Sequence, residues 1–130
     1  MTVTTTPVIT KHSVLNPDGT LVKGAKPKVG DELLLEMLRW MLMSRIYDER
    51  AIALQRQGLY GVFSPALGQE ASVVGSAMAL DPARDWIVPQ YRELMAVVHH
   101  GYPLERVAAN GMGRISDASR IPDEVNVLPT

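Results

Sequence analysis

A short segment in the middle of the chain constrains its fold most strongly. The apolar run Trp86–Val88 leads through Pro89 into a helical pattern whose first turn carries Tyr91 and Arg92. A buried strand that passes directly into a helix is typical of α/β folds, in which ligands meet the carboxyl ends of parallel strands. The sequence therefore predicts an α/β fold with parallel strands.

The residues at this junction are suited to binding a phosphorylated cofactor. The N-terminus of a helix presents unpaired N–H groups and a partial positive charge. Arg92 adds a planar fork of donors that can contact phosphate through two hydrogen bonds. Taken alone, the pair Tyr91 and Arg92 would more often lie on a solvated helix face, so the interpretation depends on the strand that precedes it.

The longest helical pattern runs from Asp31 to Gln57, and Gly58 is a suitable stop. Its first half, residues 33–43, is apolar almost all round and carries only Glu36 and Arg39 as charges. Such a helix requires burial on several sides, and a chain of this length supplies limited cover. Contact with another subunit is favoured over the alternative of an internal core helix.

The remaining pattern divides the chain into a leader and one domain. Residues 1–30 are a polar leader with a turn at Asn16–Gly19, and residues 31–130 form the domain.

The loop 58–68 contains Phe63, the only phenylalanine, which can cap the core or form the wall of a pocket. Further helices are predicted over Gln69–Leu80, from Tyr91 to His100, and from Pro103 to Asn110, followed by an ordered loop over 114–130.

Several polar residues invite a catalytic interpretation that their surroundings do not favour. His99 and His100 are adjacent, point about 100° apart on a helix and have no third ligand at a useful spacing, so structural roles are preferred. Glu70 is better explained as a carboxylate at a helix start. The charges at Arg45 and Asp48 are expected on a solvated face, in weak pairs along the helix.

Composition favours a protein without nucleic-acid or membrane partners. The 130 residues are 46% hydrophobic and carry a formal net charge of −1, with an isoelectric point near 6.3. This balance provides no excess of positive charge with which to bind nucleic acid or anionic lipid. There is no cysteine, which excludes disulfides and thiolate metal sites. The first residues lack a basic, apolar targeting pattern, so a cytoplasmic location is expected.

Four motifs in order carry a family resemblance: Ser44–Arg50, Gly68–Ala71, Val74–Ala77 and Gln90–Glu93. Together they resemble the alpha subunit of thiamine-diphosphate-dependent 2-oxo acid dehydrogenases. In this family the alpha subunit and a beta subunit form the decarboxylating component of the pyruvate and branched-chain 2-oxo acid dehydrogenase complexes. The resemblance implies that the chain is the helix-rich, N-terminal part of a thiamine-diphosphate-binding fold.

The resemblance also implies roles for particular residues. Gln90, Tyr91 and Arg92 would bind the diphosphate of thiamine diphosphate, while Phe63 and Ser64 would lie beside the 2-oxo acid substrate. The implied reaction is oxidative decarboxylation, with transfer of the acyl group to the lipoyl arm of a separate acyltransferase. No catalytic residue is assigned to this chain, because the glutamate that activates the cofactor belongs to the beta subunit and the acyl-transfer histidine lies beyond Thr130.

The family's magnesium element, Gly-Asp-Gly followed by an asparagine, is absent from the sequence. Gly30-Asp31-Glu32 is the nearest string, but it reads better as a helix entry. An N-terminal fragment, inactive by itself, is therefore expected, with Mg²⁺ ligands supplied from outside this chain. Pyruvate and a branched-chain 2-oxo acid both remain possible substrates. The alternative function is a non-catalytic interaction module, or truncated relative, that docks a partner through the apolar helix 33–43.

Overall fold

The computed structural model describes residues 13–26 and 28–113. The chain divides into two compact units, Met1–Asp31 and Glu32–Thr130. In the first unit, Asn16 and Thr20 enclose the predicted turn: the N–H of Asn16 donates to the carbonyl of Thr20 at 2.8 Å. Gly19 has φ +84°, a value that glycine adopts without steric cost. An isolated antiparallel bridge between Leu15 and Leu21 flanks the turn.

Four helices are formed between residues 31 and 113. These are α1 (Asp31–Arg56), α2 (Glu70–Met78), α3 (Leu94–His99) and α4 (Leu104–Gly111). The periodic patterns predicted α1, α2 and α4 to within two residues at each end. α1 ends where Gly58 takes φ +71° and the N–H of Leu59 turns back to the carbonyl of Leu54 at 2.9 Å, an arrangement that ends helices.

The core of the second unit is made of small and medium side chains. α2 packs against α3, and the loop before α2 contributes Ala66 to the same cluster. Partly buried side chains from α1 and from the segment before α3 close the edges of this core. The buried cluster consists of Ala66, Val73, Ala77, Met95 and Ala96.

The predicted strand Trp86–Val88 is not formed, and the parallel sheet is not seen in the described residues. Ile87 packs against the core, whereas Trp86 and Val88 are exposed, Val88 by 82%. The side chains thus alternate as in a strand, but a strand exists only when a neighbour supplies N–H and C=O partners. No segment described between residues 32 and 113 pairs with this one, so the prediction of a strand is wrong for this structure.

The predicted start of the following helix is also wrong. α3 begins at Leu94, so Tyr91 and Arg92 precede the helix instead of occupying its first turn. The cause is Glu93, whose Oε2 accepts hydrogen bonds from the N–H groups of Gln90 at 3.1 Å and Tyr91 at 3.3 Å. This local bonding competes with helix geometry and closes residues 90–93 into a turn.

The outer face of α1 is more apolar than that of a common amphipathic helix. Its buried residues are Ser44, Asp48 and Ala51. A row of large apolar side chains is exposed instead, up to 61% for Ile46. We call this row the apolar stripe, and it comprises Leu34, Leu35, Leu38, Leu42 and Ile46.

None of the described helices is long and apolar enough to cross a bilayer.

An ion pair joins α1 to α2. Arg45 Nε donates to Oε1 of Glu70, the first residue of α2, and Glu70 is buried. Arg45 is exposed as expected, but its ion pair reaches α2 instead of running along α1. The expected solvated face is wrong for Asp48, which is buried. The hydrogen bond from Arg45 holds the pKa of Glu70 below its ordinary value.

Substituting Arg45 by alanine should destabilise the fold in a pH-dependent way. The pKa of Glu70 is lowered in the folded state, so its contribution to stability is present above its ordinary pKa of 4.5 and is lost as the pH falls through the lowered value. Denaturant unfolding at pH 7 and pH 3 should show a deficit for Arg45→Ala that shrinks in acid. Arg50→Ala, an exposed position on the same helix, is the control. An equal deficit at both pH values would contradict this assignment.

Gly111 is required by the close approach of Tyr60. A Cβ at Gly111 would lie 1.8 Å from Cζ of Tyr60, whose ring is buried and whose hydroxyl is 2.7 Å from that of Tyr47. The ring is therefore not free to swing away. The N–H of Gly61 also donates to the carbonyl of Gly111 at 2.7 Å, so the end of α4 and the loop after α1 meet at this point.

Gly111→Ala should lower the free energy of unfolding by roughly 1–3 kcal/mol, the usual scale of overpacking. Gly75→Ala in α2 is the matched control, because a Cβ there meets nothing within 4 Å. That change should raise stability by about 0.5–1 kcal/mol through helix propensity. Urea unfolding of the two variants measures both effects, and equal stabilities would disprove the close contact.

Candidate functional site

A cavity of about 600 Å³ gathers residues from the two segments that the sequence singled out. Phe63 and Ser64 line it from the loop between α1 and α2, and Tyr91 lines it from the turn before α3. Of the other predicted site residues, Gln90 is exposed and is not part of the cavity lining. Arg92 lies beside the cavity and contacts the loop. The structure thus brings together three of the five predicted residues directly.

An aromatic cluster places Phe63. Its ring makes edge-on contacts with Tyr60, at 5.4 Å between centroids, and with Tyr47, at 6.0 Å. Such geometry is favourable for aromatic pairs. Burial, followed by the hydrogen bond with Tyr60, raises the pKa of the Tyr47 phenol, which favours the neutral form of that hydroxyl. Phe63 therefore both packs against this cluster and forms part of the cavity wall.

Arg92 contacts the loop before α2 and the neighbouring Tyr91 ring. Its Nη1 donates to the carbonyl of Pro65 at 2.8 Å, and its guanidinium carbon lies 5.3 Å from the centroid of the Tyr91 ring, within cation–π distance. The side chain is half-buried. The guanidinium has five donors, so donors remain for a ligand while the Pro65 bond is kept.

The turn 90–93 holds an anionic oxygen. Burial of the Glu93 carboxyl acts to raise its pKa, but hydrogen bonds from backbone N–H groups, including those of Gln90 and Tyr91, outweigh burial and hold this pKa below its usual range. The carboxylate therefore stands where an anionic oxygen of a ligand would be bound by the same N–H groups. The N–H groups of the predicted phosphate-binding turn can therefore bind an anionic oxygen, and in this structure that oxygen belongs to Glu93.

Several cavity residues were missed by sequence reasoning. Tyr60 could have been suspected, because it is an aromatic in the same loop as Phe63. Most of the others come from α3, α4 and the segment between them, and the hydrogen bond from Gly61 to Gly111 is one of the tertiary contacts that bring α4 to the loop. The missed residues include Tyr60, Leu94, Val97, Tyr102, Val107 and Asn110.

The histidines lie away from the cavity lining. His99 packs edge-on against Trp40 of α1, with 5.0 Å between ring centroids. Burial, and secondarily the neighbouring His100, lowers the pKa of His99, which favours the neutral ring. These contacts fit the structural role preferred from the sequence. Across residues 13–26 and 28–113, no group of three or more His, Asp or Glu side chains is arranged to hold a metal ion.

Comparison with known proteins places this chain in a family. The family model described as dehydrogenase E1 component matches residues 38–126. Similar proteins include the pyruvate dehydrogenase E1 component subunit alpha of Bacillus cereus, at 39% identity, and that of Bacillus subtilis, at 36%. Each match covers 116 residues, which is 88% of this chain and 31% of the relative, so the chain spans about a third of these relatives. The chain belongs to the dehydrogenase E1 component family.

Proposed function

We propose that this chain is part of the decarboxylating component of a 2-oxo acid dehydrogenase, which carries out oxidative decarboxylation with acyl transfer to a lipoyl group. The observation that carries the proposal is the cavity in which Phe63, Ser64 and Tyr91 meet, with Arg92 alongside. Its lining combines apolar and aromatic side chains with a few polar groups, as small-molecule sites do. The names of the relatives support the same reaction class.

Thiamine diphosphate is the proposed cofactor, and the residues present fit it in two respects. The cavity is large and mainly apolar, which suits the cofactor's ring system. Arg92 would hold the diphosphate, and the N–H groups of Gln90 and Tyr91 would join it once the diphosphate displaced the Glu93 carboxylate that they bind in this structure. When bound, the cofactor supplies the carbanion chemistry that decarboxylates a 2-oxo acid. Magnesium is proposed with it, but the part of the chain that the structure describes provides no cluster of ligands for it.

The residues of this chain would bind and orient the 2-oxo acid substrate. Phe63 would form the wall against the side chain of the 2-oxo acid and exclude water there, and Ser64 would make a polar contact. Pyruvate is the substrate named for the relatives. A branched-chain 2-oxo acid fits the apolar wall as well, because each methylene in such a pocket changes selectivity by only about 1–3 kcal/mol.

The proposed partners follow from this reaction. They are a beta subunit, which completes the component, and the lipoyl-bearing acyltransferase that receives the acyl group. A cytoplasmic location goes with these partners. The chain's near-neutral charge does not favour nucleic acid or a membrane surface.

Arg92→Ala should weaken thiamine diphosphate binding in the alpha–beta assembly by about 1.5–3 kcal/mol, the scale of losing a hydrogen bond to a charged group. Arg92→Lys should recover only part of this, because an ammonium cannot form a fork of two bonds with phosphate. Titration calorimetry with Mg²⁺ present measures both affinities.

The control for this experiment is His99→Ala. His99 contacts Trp40 and is not part of the cavity lining, so cofactor affinity should remain near that of the unsubstituted protein. Wild-type affinity for Arg92→Ala together with a large loss for His99→Ala would show that the diphosphate site is misplaced.

A second candidate function is an interaction module that docks a partner through the apolar helix 33–43. The apolar stripe on α1 favours it, because five large apolar side chains are exposed along one helix. Contiguous apolar surface of this kind commonly marks a site of protein association. This function does not require the cavity to turn over a substrate.

The apolar stripe predicts that the isolated chain self-associates or binds a beta-type subunit. Leu38→Glu should lower the sedimentation coefficient towards that of a monomer, because a charge in the middle of the stripe would have to be desolvated on association. Arg39→Glu, at the neighbouring exposed position, should have little effect. A wild-type chain that sediments as a clean monomer at high concentration and binds no apolar dye would contradict the prediction.

A further inference from the structure

One peptide group in the cavity loop is held at both of its polar atoms. Pro65 contributes its C=O and Ala66 its N–H to the same peptide bond. The N–H donates to Oδ2 of Asp48 at 2.7 Å, and the C=O accepts from Nη1 of Arg92 at 2.8 Å. A carboxylate and a guanidinium thus hold this single peptide group from opposite sides.

Both hydrogen bonds are charge-assisted, which makes them stronger than bonds between neutral groups. Asp48 is only 4% exposed and Ala66 only 3%. In such surroundings hydrogen bonds in series polarise one another, and a lost partner leaves a buried donor unsatisfied. The Pro65–Ala66 peptide is therefore a firm anchor of the loop.

A second anchor lies four residues earlier. Gly61 donates its N–H to the carbonyl of Gly111 at 2.7 Å and accepts at its own carbonyl from Nε2 of Gln55 at 3.0 Å. Among the described residues, the backbone groups of 62–64 make no hydrogen bond with other backbone. The backbone of Phe63 and Ser64 is therefore held at both ends by these two anchors, and the ring of Phe63 is held in addition by its contacts with Tyr47 and Tyr60.

We propose that Asp48 is a positioning residue for this cavity wall and acts through the N–H of Ala66. Asp48 is not part of the cavity lining, so its influence on a ligand passes through the loop. Because Arg92 holds the other side of the same peptide, the wall that would face the 2-oxo acid is linked to the residue that would bind the diphosphate. The effect on turnover rests on the proposed function, whereas the effect on the loop does not.

The structural arm of the test uses NMR order parameters of the Phe63 and Ser64 amides in the chain. Asp48→Ala should lower them from the range of rigid backbone, about 0.85, to below about 0.6. It should also speed amide exchange of Ala66 by about tenfold or more, the equivalent of one hydrogen bond to a charged group. Asp48→Asn keeps an acceptor oxygen and should restore most of the order. Glu49→Ala, an exposed neighbour, is the matched control.

The kinetic arm uses the alpha–beta assembly. Asp48→Ala should raise KM for the 2-oxo acid about tenfold and leave thiamine diphosphate affinity within about threefold, and Asp48→Asn should recover KM. Should Asp48→Ala not fold, Asp48→Ser replaces it, because a serine hydroxyl is too short to reach the N–H of Ala66.

Unchanged order parameters in Asp48→Ala would overturn the proposal whatever the activity. A loss of order without a rise in KM, in an active assembly, would overturn its part in substrate positioning. If order is lost but the wild-type assembly decarboxylates no 2-oxo acid, the proposed function fails while the positioning of the wall by Asp48 is upheld.

Discussion

The buried carboxylate of Asp48 is the interaction on which the second unit depends. The apolar contacts of the alanine, valine and methionine core are non-directional, whereas a buried charge tolerates only the geometry that pairs it. Asp48 fixes the loop to α1 through Ala66. One turn earlier Arg45 fixes the start of α2 through Glu70. The two contacts together hold α1 against the loop and the start of α2.

The parts of the fold that could be predicted are those coded locally. Apolar periodicity and the glycine after α1 determine where that helix runs, and tertiary contacts do not override them. The prediction of a strand at Trp86–Val88 was wrong because a strand requires a second segment to pair with, and the apolar pattern of one segment does not show whether such a partner exists. The predicted start of α3 was wrong because the Glu93 side chain accepts hydrogen bonds from the N–H groups of Gln90 and Tyr91. The helix therefore begins after Glu93.

The candidate site was predictable in kind but not in arrangement. Residue chemistry and resemblance indicated Phe63, Ser64 and Tyr91, and the structure brings these three to one cavity. Arg92 was expected to face a ligand, yet it also holds Pro65, a contact between residues 27 positions apart that no local pattern encodes. The α4 residues of the cavity, such as Val107, were missed because α4 reaches the loop through tertiary contacts that no local pattern encodes, among them the close packing of Gly111 on Tyr60.

The two proposed functions are physically compatible, because no described residue of α1 lines the cavity and the contact of Asp48 with the loop lies on another face of α1 than the apolar stripe. Successive residues of a helix are about 100° apart, so Ile46 in the apolar stripe points about 200° away from Asp48. A partner bound to the stripe would therefore leave the Asp48 contact and the loop in place.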